Sequence, residues 1–366
     1  MNDTPHANTW ISRLGVYEPG RPIDEVAREL GFSDHHELIK LASNENSLGV
    51  SPAAAEVMKA NIAEMHLYPD GGAFYLRRGI AEQLGVSMEH VVVGNGSNEL
   101  IEFLGHVFLG EGTSLVMSEQ AFVVYKLIAG IFQADVIETP MTDFAHDLDA
   151  MQAAIREDTR LVFVANPNNP TGTYVDPAKL DQFIQSMPEH VLLVVDEAYY
   201  ELMPPDLQPA VVDRIKEGYP VCLLRTFSKA YGLAGLRVGY AVGRPADMAL
   251  LQKVRQPFNV NAMGQAAAVA ALGDDQHLAD TRKLLDDGLA FIGEACQRLN
   301  LEYVPSVTNF ILIKTGNGRD VFRRLQREGV IVRPMDVYKL PDYVRVTVGT
   351  SEENTRFVEA LEKVLS

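Results

Sequence analysis

The chain has few of the residues that build disulfide frameworks, metal centres or membrane spans. Its 366 residues include two cysteines, Cys222 and Cys296, and both lie in apolar stretches. We therefore expect buried, reduced thiols rather than a disulfide or a pair of metal ligands. The nine histidines form no HExxH run and no zinc-type spacing with cysteine, so we expect no metal. The longest apolar runs, such as 191–195, have the length of a strand rather than of a membrane span.

Positive charge is also scarce. Lysine and arginine number 32 against 49 aspartates and glutamates, which gives a formal net charge of −17 and no basic block. A surface that binds nucleic acid needs such a block, so the charge argues against a nucleic-acid partner. The polar start MNDTPHANTW lacks a signal-peptide pattern. These absences predict a soluble cytoplasmic protein that acts on neither nucleic acid nor membrane.

Short apolar runs alternate with helix-like stretches between about residues 41 and 255. Most of these runs are apolar at every position, which is typical of strands buried on both faces of a mainly parallel sheet. We therefore predict an α/β fold with a large domain, residues 41–258, built on a mainly parallel seven-stranded sheet. The seven candidate strands are HVVVGNG, SLVMSE, ADVIETP, RLVFVANP, VLLVVDEAYY, VCLLRTFS and RVGYAVG.

The pattern changes after Pro257. Long Ala-rich and charged helices come first, followed by short strands, an amphipathic helix and a last helix opened by the capping run GTSEEN. Residues 259–366 are therefore predicted to form a smaller α+β domain. Residues 1–40 would form an N-terminal arm and part of that smaller domain.

One lysine stands at the exit of a predicted strand, in the stretch TFSKAYGLAGLRVGY. Lys229 alone would be interpreted as a solvated loop residue. A lysine held there with a depressed pKa could instead attack a carbonyl carbon and form a Schiff base. Its neighbours favour the second interpretation, because Thr226, Ser228 and Arg237 are the hydroxyls and the guanidinium that bind a phosphate.

The run GNGSNE, residues 94–99, follows one strand and opens a helix. Glycines allow close backbone approach, and the first amides of a helix point at an anion, so Ser97 and Asn98 are candidate phosphate ligands. The run also half-matches the dinucleotide fingerprint, with Glu99 in place of the third glycine. A Rossmann dehydrogenase therefore stays an alternative at this point.

Polar residues end two further strands. Asp196 closes the most apolar strand, with Tyr199 three residues later. A buried carboxylate is costly unless it faces a cation, and a protonated pyridine nitrogen is such a cation. Asn169, in the turn ANPNNPTG, could donate a hydrogen bond to a phenolic oxygen in the same cleft. An N-cap and a plain turn are the structural alternatives.

The order of these motifs resembles the fold-type I pyridoxal-phosphate enzymes, the aspartate aminotransferase superfamily. Within it, the whole chain is similar to the histidinol-phosphate aminotransferase family. The strings that carry the resemblance are YEPGRPIDEVARELG, IKLASNENSLG, LYPDGG, GNGSNELIE, NPNNPTG, DEAYYE, RTFSKAYGLAGLRVGY, TNFILIKTG, GVIVRPM and VRVTVGTSEEN.

The resemblance implies a role for each motif around pyridoxal 5′-phosphate. Lys229 would hold the cofactor covalently and then move a proton, and Asp196 would keep the pyridine nitrogen protonated. Tyr199 and Asn169 would bind the phenolic oxygen, and Phe122 would stack on the ring. The phosphate ligands would be Ser97, Asn98, Thr226, Ser228 and Arg237.

The substrate and the assembly are implied by fewer residues. Arg345 and Arg333 would bind anionic groups of an amino donor and of 2-oxoglutarate, and Tyr17 would close over the substrate. Tyr68, in LYPDGG, would reach the cofactor phosphate of a neighbouring subunit, so the active unit would be a homodimer. Ser47 stands where the family usually has proline, which would loosen that turn.

The reaction implied is transfer of the amino group of histidinol phosphate to 2-oxoglutarate, a step of histidine biosynthesis. An aromatic amino-acid aminotransferase, threonine-phosphate decarboxylase and a non-catalytic ligand-binding domain share the scaffold and stay open as alternatives. The dehydrogenase alternative would leave Lys229, Asp196 and Arg237 without a purpose.

Overall fold

The computed structural model describes residues 8–16, 22–34 and 37–366. Local sequence explains where many helices begin. Ser51 and Asp176 accept backbone N–H bonds at N-caps and are each followed by proline, and Thr350 with Glu353 forms the predicted capping box. The helices are α1 Ile23–Leu30, α2 Pro52–Asn61, α3 Phe74–Leu84, α4 Gly96–Phe108, α5 Val124–Ile131, α6 Leu148–Ala153, α7 Pro177–Gln185, α8 Val211–Lys216, α9 Pro245–Val254, α10 Ala262–Ala271, α11 Asp275–Arg298, α12 Gly318–Arg327 and α13 Ser351–Leu365.

The strands form one large sheet, one smaller sheet and two short pairs. They are β1 Ile39–Lys40, β2 Val91–Gly94, β3 Ser114–Ser118, β4 Asp135–Thr139, β5 Met141–Thr142, β6 Ala145–His146, β7 Thr159–Ala165, β8 Leu192–Asp196, β9 Val221–Thr226, β10 Gly239–Val242, β11 Tyr303–Val304, β12 Phe310–Lys314, β13 Val330–Ile331, β14 Arg333–Pro334 and β15 Tyr343–Thr347.

The large sheet has seven strands in the order β2-β10-β9-β8-β7-β3-β4. Strands β9, β8, β7, β3 and β4 run parallel, and β10 runs antiparallel to both of its neighbours. These are the seven strands that the sequence predicts, so the α/β class with a mainly parallel seven-stranded sheet is confirmed. Both cysteines are buried, as expected.

The alternation of side chains explains why the strands are apolar throughout. In β8, Leu193 and Val195 pack in one hydrophobic cluster, whereas Leu192 and Val194 pack in another on the opposite face. A strand covered by helices on both faces needs apolar residues at every position. The sheet therefore forms the middle layer of the large unit.

The smaller sheet is antiparallel, with the order β11-β12-β15-β14, and β1 pairs in parallel with β13. The first hydrophobic cluster continues from the large sheet to residues of β12 and β15. The domain limits at residues 41 and 258 therefore stay a prediction. Among the described residues, no helix combines the length and the hydropathy needed to span a bilayer.

Candidate active site

A cavity of about 480 Å³ lies where the carboxyl ends of β8 and β9 approach the smaller sheet. Open α/β sheets place ligands at this edge. Of the predicted site residues in the described part of the chain, the cavity brings together all except Tyr68. Those that line it are Ser97, Asn98, Phe122, Asn169, Asp196, Tyr199, Thr226, Ser228, Lys229, Arg237, Arg333 and Arg345.

Lys229 follows β9 and reaches the loop after β1. Its Nζ donates to the carbonyl oxygens of Ser43, at 3.3 Å, and Asn44, at 3.1 Å. Burial of the amine, followed by the positive charges of Arg345 and Arg237, lowers the pKa of Lys229 to about 8. A neutral amine is the nucleophilic form, so this environment favours attack on a carbonyl carbon.

Asp196, the last residue of β8, has a donor on each carboxylate oxygen. The hydroxyl of Tyr125 donates to Oδ2 at 2.7 Å, and the amide of Ala198 donates to Oδ1 at 3.1 Å. Burial raises the pKa of Asp196 to about 6, while these hydrogen bonds and the charge of Lys229 oppose that rise. The carboxylate is thus placed to face a cation inside the cavity. Sequence reasoning did not single out Tyr125.

Asn44 is a second site residue that sequence reasoning missed. Its Nδ2 donates to the hydroxyl oxygen of Tyr199 at 2.9 Å, and its Oδ1 accepts from Thr347 at 3.2 Å. Burial raises the pKa of Tyr199 to about 12, so the phenol stays protonated. With its oxygen occupied as an acceptor, that hydroxyl is available to donate into the cavity. The polar run NEN, which follows β1 after three residues, marks a polar loop but not the contact with Tyr199.

The start of α4 is a candidate anion-binding site, called the anion cradle below. Asn95 makes no side-chain capping bond there, so the first amides of the helix are not consumed by a cap. Gly96 has φ +71°, and a Cβ on it would lie 2.7 Å from Nη2 of Arg237. A Cβ on Gly239 would lie 2.7 Å from the amide nitrogen of Ser97. Only glycine at these positions lets the guanidinium and the helix start lie this close together.

The hydroxyls of Ser228 and Thr226 lie near this cradle and make different hydrogen bonds. Nη1 of Arg237 lies 3.4 Å from the Ser228 hydroxyl oxygen. The Thr226 hydroxyl donates to the carbonyl of Val238 at 3.3 Å and accepts the Ser228 amide at 3.1 Å. Thr226 therefore also holds the turn in shape, a role that the sequence prediction did not include.

The second arginine group comes from the smaller sheet. Arg333 in β14 lies directly opposite Arg345 in β15. Arg345 donates through Nη1 to Oδ1 of Asn169 at 2.5 Å and through Nη2 to the carbonyl of Ala42 at 2.9 Å. Like charges opposite each other on neighbouring strands are unfavourable by themselves. An anion between them would relieve that repulsion, which makes this wall a candidate anion site.

The remaining predicted residues are placed as follows. Phe122 lies edge-on to Tyr125, with ring centroids 5.7 Å apart. Tyr68 lies outside the cavity of its own chain, is 84% exposed and stacks on Phe258 at 5.0 Å. Tyr17 lies outside the described residues.

Ser47 does not simply loosen its turn. Its hydroxyl donates to the carbonyl of Val348 at 3.1 Å, just beyond β15. Proline has no donor to make this bond. The turn therefore gains a tertiary hydrogen bond where the sequence predicted only a loss of rigidity.

Relatives place this geometry in a known family. Residues 36–361 match the family model described as aminotransferase class I and II. The chain is 46% identical to a histidinol-phosphate aminotransferase from Akkermansia muciniphila, with all of both chains covered. It is also 46% identical to histidinol-phosphate aminotransferase 2 from Pseudomonas fluorescens, with 98% of this chain and 97% of the relative covered.

A solved structure agrees. The crystal structure of histidinol-phosphate aminotransferase from Sinorhizobium meliloti in complex with pyridoxal-5′-phosphate superposes with a TM-score of 0.90 and 28% sequence identity. The match covers 98% of this chain and 97% of that one. The family model and the relatives therefore agree with the site geometry, and the chain belongs to the class I and II aminotransferases.

Proposed function

We propose that the protein is a pyridoxal 5′-phosphate-dependent transaminase that transfers the amino group of histidinol phosphate to 2-oxoglutarate. The observation that carries the proposal is the arrangement of one wall of the cavity. A lysine whose pKa is lowered to about 8 lines the same cavity as a buried carboxylate, Asp196, and the candidate anion cradle at the start of α4.

The donors present fit the cofactor. The helix start, the two hydroxyls and the guanidinium of Arg237 match a dianionic phosphate, and Asp196 matches a protonated ring nitrogen. The hydroxyl of Tyr199, with Asn44 on its oxygen, matches a phenolate acceptor. The residues that would hold the cofactor are Ser97, Asn98, Phe122, Asn169, Asp196, Tyr199, Thr226, Ser228, Lys229 and Arg237.

Pyridoxal phosphate, when bound, supplies an aldehyde carbon for an amine and a conjugated ring that takes up the electrons of a broken Cα–H bond. Lys229 would bind that aldehyde and later carry the proton removed from the substrate Cα. Asp196 would hold a proton on the ring nitrogen. Tyr199 and Asn169 would donate hydrogen bonds to the phenolic oxygen.

The substrate is proposed from the arginines of the smaller sheet. Arg345 and Arg333 line the same cavity, and a guanidinium binds a carboxylate or a phosphate through two parallel hydrogen bonds. Two such groups suit a phosphorylated amino alcohol in one half-reaction and a dicarboxylic acid in the other. The relatives that are histidinol-phosphate aminotransferases support histidinol phosphate as the phosphorylated substrate. A biosynthetic enzyme of this kind would act in the cytoplasm.

The assembly proposed is a homodimer in which Tyr68 serves the neighbouring cavity. Large apolar side chains are exposed around it, which is unusual unless a partner covers them. They are Ile62, Met65, Leu67, Phe74, Tyr75 and Phe258. Sedimentation would give the mass, and mixing a Tyr68→Ala chain with a Lys229→Ala chain would restore part of the activity only if each subunit serves the other's site.

The first test is spectroscopic. The purified protein, loaded with pyridoxal phosphate, would be mixed with L-histidinol phosphate or, in a parallel cuvette, with L-phenylalanine. Loss of the visible cofactor band at low histidinol phosphate, together with glutamate formation from 2-oxoglutarate, is expected. Conversion by phenylalanine alone would identify an aromatic aminotransferase. Carbon dioxide release from O-phospho-L-threonine in a third cuvette, without consumption of 2-oxoglutarate, would identify a lyase, and no cofactor band at all would refute the use of pyridoxal phosphate.

A further inference from the structure

We propose that Tyr125 is a positioning residue: its hydroxyl fixes the Asp196 carboxylate in the orientation that pairs with the ring nitrogen of the cofactor. The inference rests on the proposed use of pyridoxal phosphate. It assigns a function to a side chain that takes no direct part in the reaction.

The carboxylate is held from two different elements. Tyr125, in α5, donates to Oδ2 at 2.7 Å, and the amide of Ala198, in the turn after β8, donates to Oδ1 at 3.1 Å. Rotation of the carboxylate about its terminal torsion would break both bonds. A single donor would leave that torsion broad, since it is only weakly restricted in a free side chain. The second donor therefore supplies the orientation.

The tyrosine itself has little freedom. Tyr125 is fully buried, its ring stacks on Phe163 with centroids 4.3 Å apart and planes 13° apart, and Phe122 packs edge-on against it. Aromatic pairs in such arrangements hold their rings in one position. The position of the hydroxyl is thus set by ring packing and not by its bond to Asp196. Replacement of Tyr125 by phenylalanine would retain this packing and remove one hydrogen bond.

The hydroxyl also favours the charged carboxylate. Burial raises the pKa of Asp196, and the Tyr125 hydrogen bond acts against that rise. The pKa of Tyr125 is raised well above its usual value, first by burial and then by Asp196, so the phenol keeps its proton and stays a donor. Three other ionisable groups interact electrostatically with Asp196, so that the charge of one partner shifts the pKa of the other. They are Lys229, Tyr199 and Glu197. Of the neighbours that lower the pKa of Asp196, Tyr125 has the largest effect.

The test compares two ligands in the apoprotein. Pyridoxal phosphate has the ring nitrogen that Asp196 would face, whereas 1-deazapyridoxal phosphate has a carbon there and is otherwise the same shape. Tyr125→Phe is expected to weaken binding of pyridoxal phosphate about tenfold, the size expected for a hydrogen bond to a charged group. Binding of the deaza analogue is expected to change less than about twofold, because it makes no ion pair with Asp196.

A double-mutant cycle completes the test. In an Asp196→Asn background, Tyr125→Phe should no longer weaken pyridoxal phosphate binding, because the group that it positions is gone. Tyr240→Phe is the matched control, since Tyr240 is a buried tyrosine of β10 outside the cavity. It should bind both ligands as the unaltered protein does.

Two outcomes would overturn the proposal. Equal weakening of both ligands by Tyr125→Phe would mean that the residue only supports the cavity, and no weakening of either would mean that Ala198 suffices. Failure of the proposed function would look different, because the unaltered protein would then bind neither ligand in the micromolar range.

Discussion

The two walls of the cavity would bind anions by different means. The large-sheet wall would use a helix start, hydroxyls and Arg237, all of which lie next to strand ends of the large sheet. The small-sheet wall uses two arginine side chains, Arg333 and Arg345, facing each other across β14 and β15. Backbone groups fix one ligand geometry, whereas long side chains can adapt to several. We infer that the large-sheet wall binds the cofactor, which is the same in both half-reactions. The small-sheet wall would bind the substrates, which differ between them.

The comparison makes a general prediction. Changes in the large-sheet wall should reduce activity by the same factor with every amino donor. In the small-sheet wall, loss of Arg345 should weaken every anionic substrate, whereas loss of Arg333 should alter the ratio between donors or between donor and acceptor. Specificity is a difference of transition-state affinities, so these ratios are the quantities to measure.

Lys229→Ala should have the largest effect, with transamination lost for every donor. No other lysine lines the cavity in the described part of the chain, so nothing replaces the amine. Single-turnover kinetics with histidinol phosphate and with glutamate would measure the loss. The fold should persist, because thermal unfolding depends mainly on the apolar core. Lys283→Ala, which removes an exposed lysine paired with Asp287 on α11, is the control and should retain full activity. Turnover in Lys229→Ala close to that of the control would refute the assignment.

Arg345→Ala should come next, with kcat/KM lowered roughly 10- to 100-fold for histidinol phosphate and for glutamate alike. The side chain would lose charge-assisted hydrogen bonds to both substrates, each worth about 1.5–3 kcal/mol. Arg345→Lys keeps the charge but loses the fork geometry, and it should recover only part of the rate. An unaltered response to glutamate would move the carboxylate site elsewhere in the cavity.

The sequence indicated which strand ends meet at the cavity, for a physical reason. Asp196 ends a buried strand, and Lys229 and Ser97 each follow one. Buried strands can be recognised in a sequence as apolar runs. Their carboxyl ends meet at one edge in any mainly parallel sheet, so the cluster could be predicted without knowing the helices.

The missed residues depend on contacts that no local pattern encodes. Asn44 reaches Tyr199 over 155 positions, and Tyr125 reaches Asp196 over 71. Arg345 contacts Asn169 over 176 positions, so the two predicted residues were known but their contact was not. Periodicity reports which face of an element is buried, whereas these pairs depend on how separate elements dock. The bond that Ser47 makes to Val348 belongs to the same class.

Arg333→Ala should test whether the small-sheet wall distinguishes the two substrates, because it is expected to affect one of them more than the other. If Arg333 binds the phosphate, kcat/KM for histidinol phosphate should fall about tenfold, while the response to 2-oxoglutarate changes less than about twofold. Arg324→Ala, an exposed arginine of α12, is the control for loss of one positive charge. Equal losses for both substrates would show that the small-sheet wall does not discriminate between them.

The smallest expected effect is a shift in the pKa of Lys229, which is influenced by an arginine from each wall. Its pKa, lowered to about 8, means that the amine is mostly protonated below that pH and mostly neutral above it. Arg345 is the largest lowering charge after burial itself, ahead of Arg237. Arg345→Gln should therefore raise the pKa of Lys229, and it should do so more than Arg237→Gln. In each apoprotein the midpoint for methylation of the amine by formaldehyde and cyanoborohydride would move to higher pH.

Mass spectrometry of the peptide that contains Lys229, after labelling across the neutral and alkaline range, would give these midpoints. Methylation of Lys283, which is exposed, serves as the internal reference in the same samples. A larger shift for Arg345→Gln would mean that the small-sheet wall also influences the reactivity of the amine. An anion bound at that wall would then raise the pKa of Lys229. A larger shift for Arg237→Gln would make the large-sheet wall the stronger influence on the amine, and no shift for either variant would leave burial as the cause of the lowered pKa.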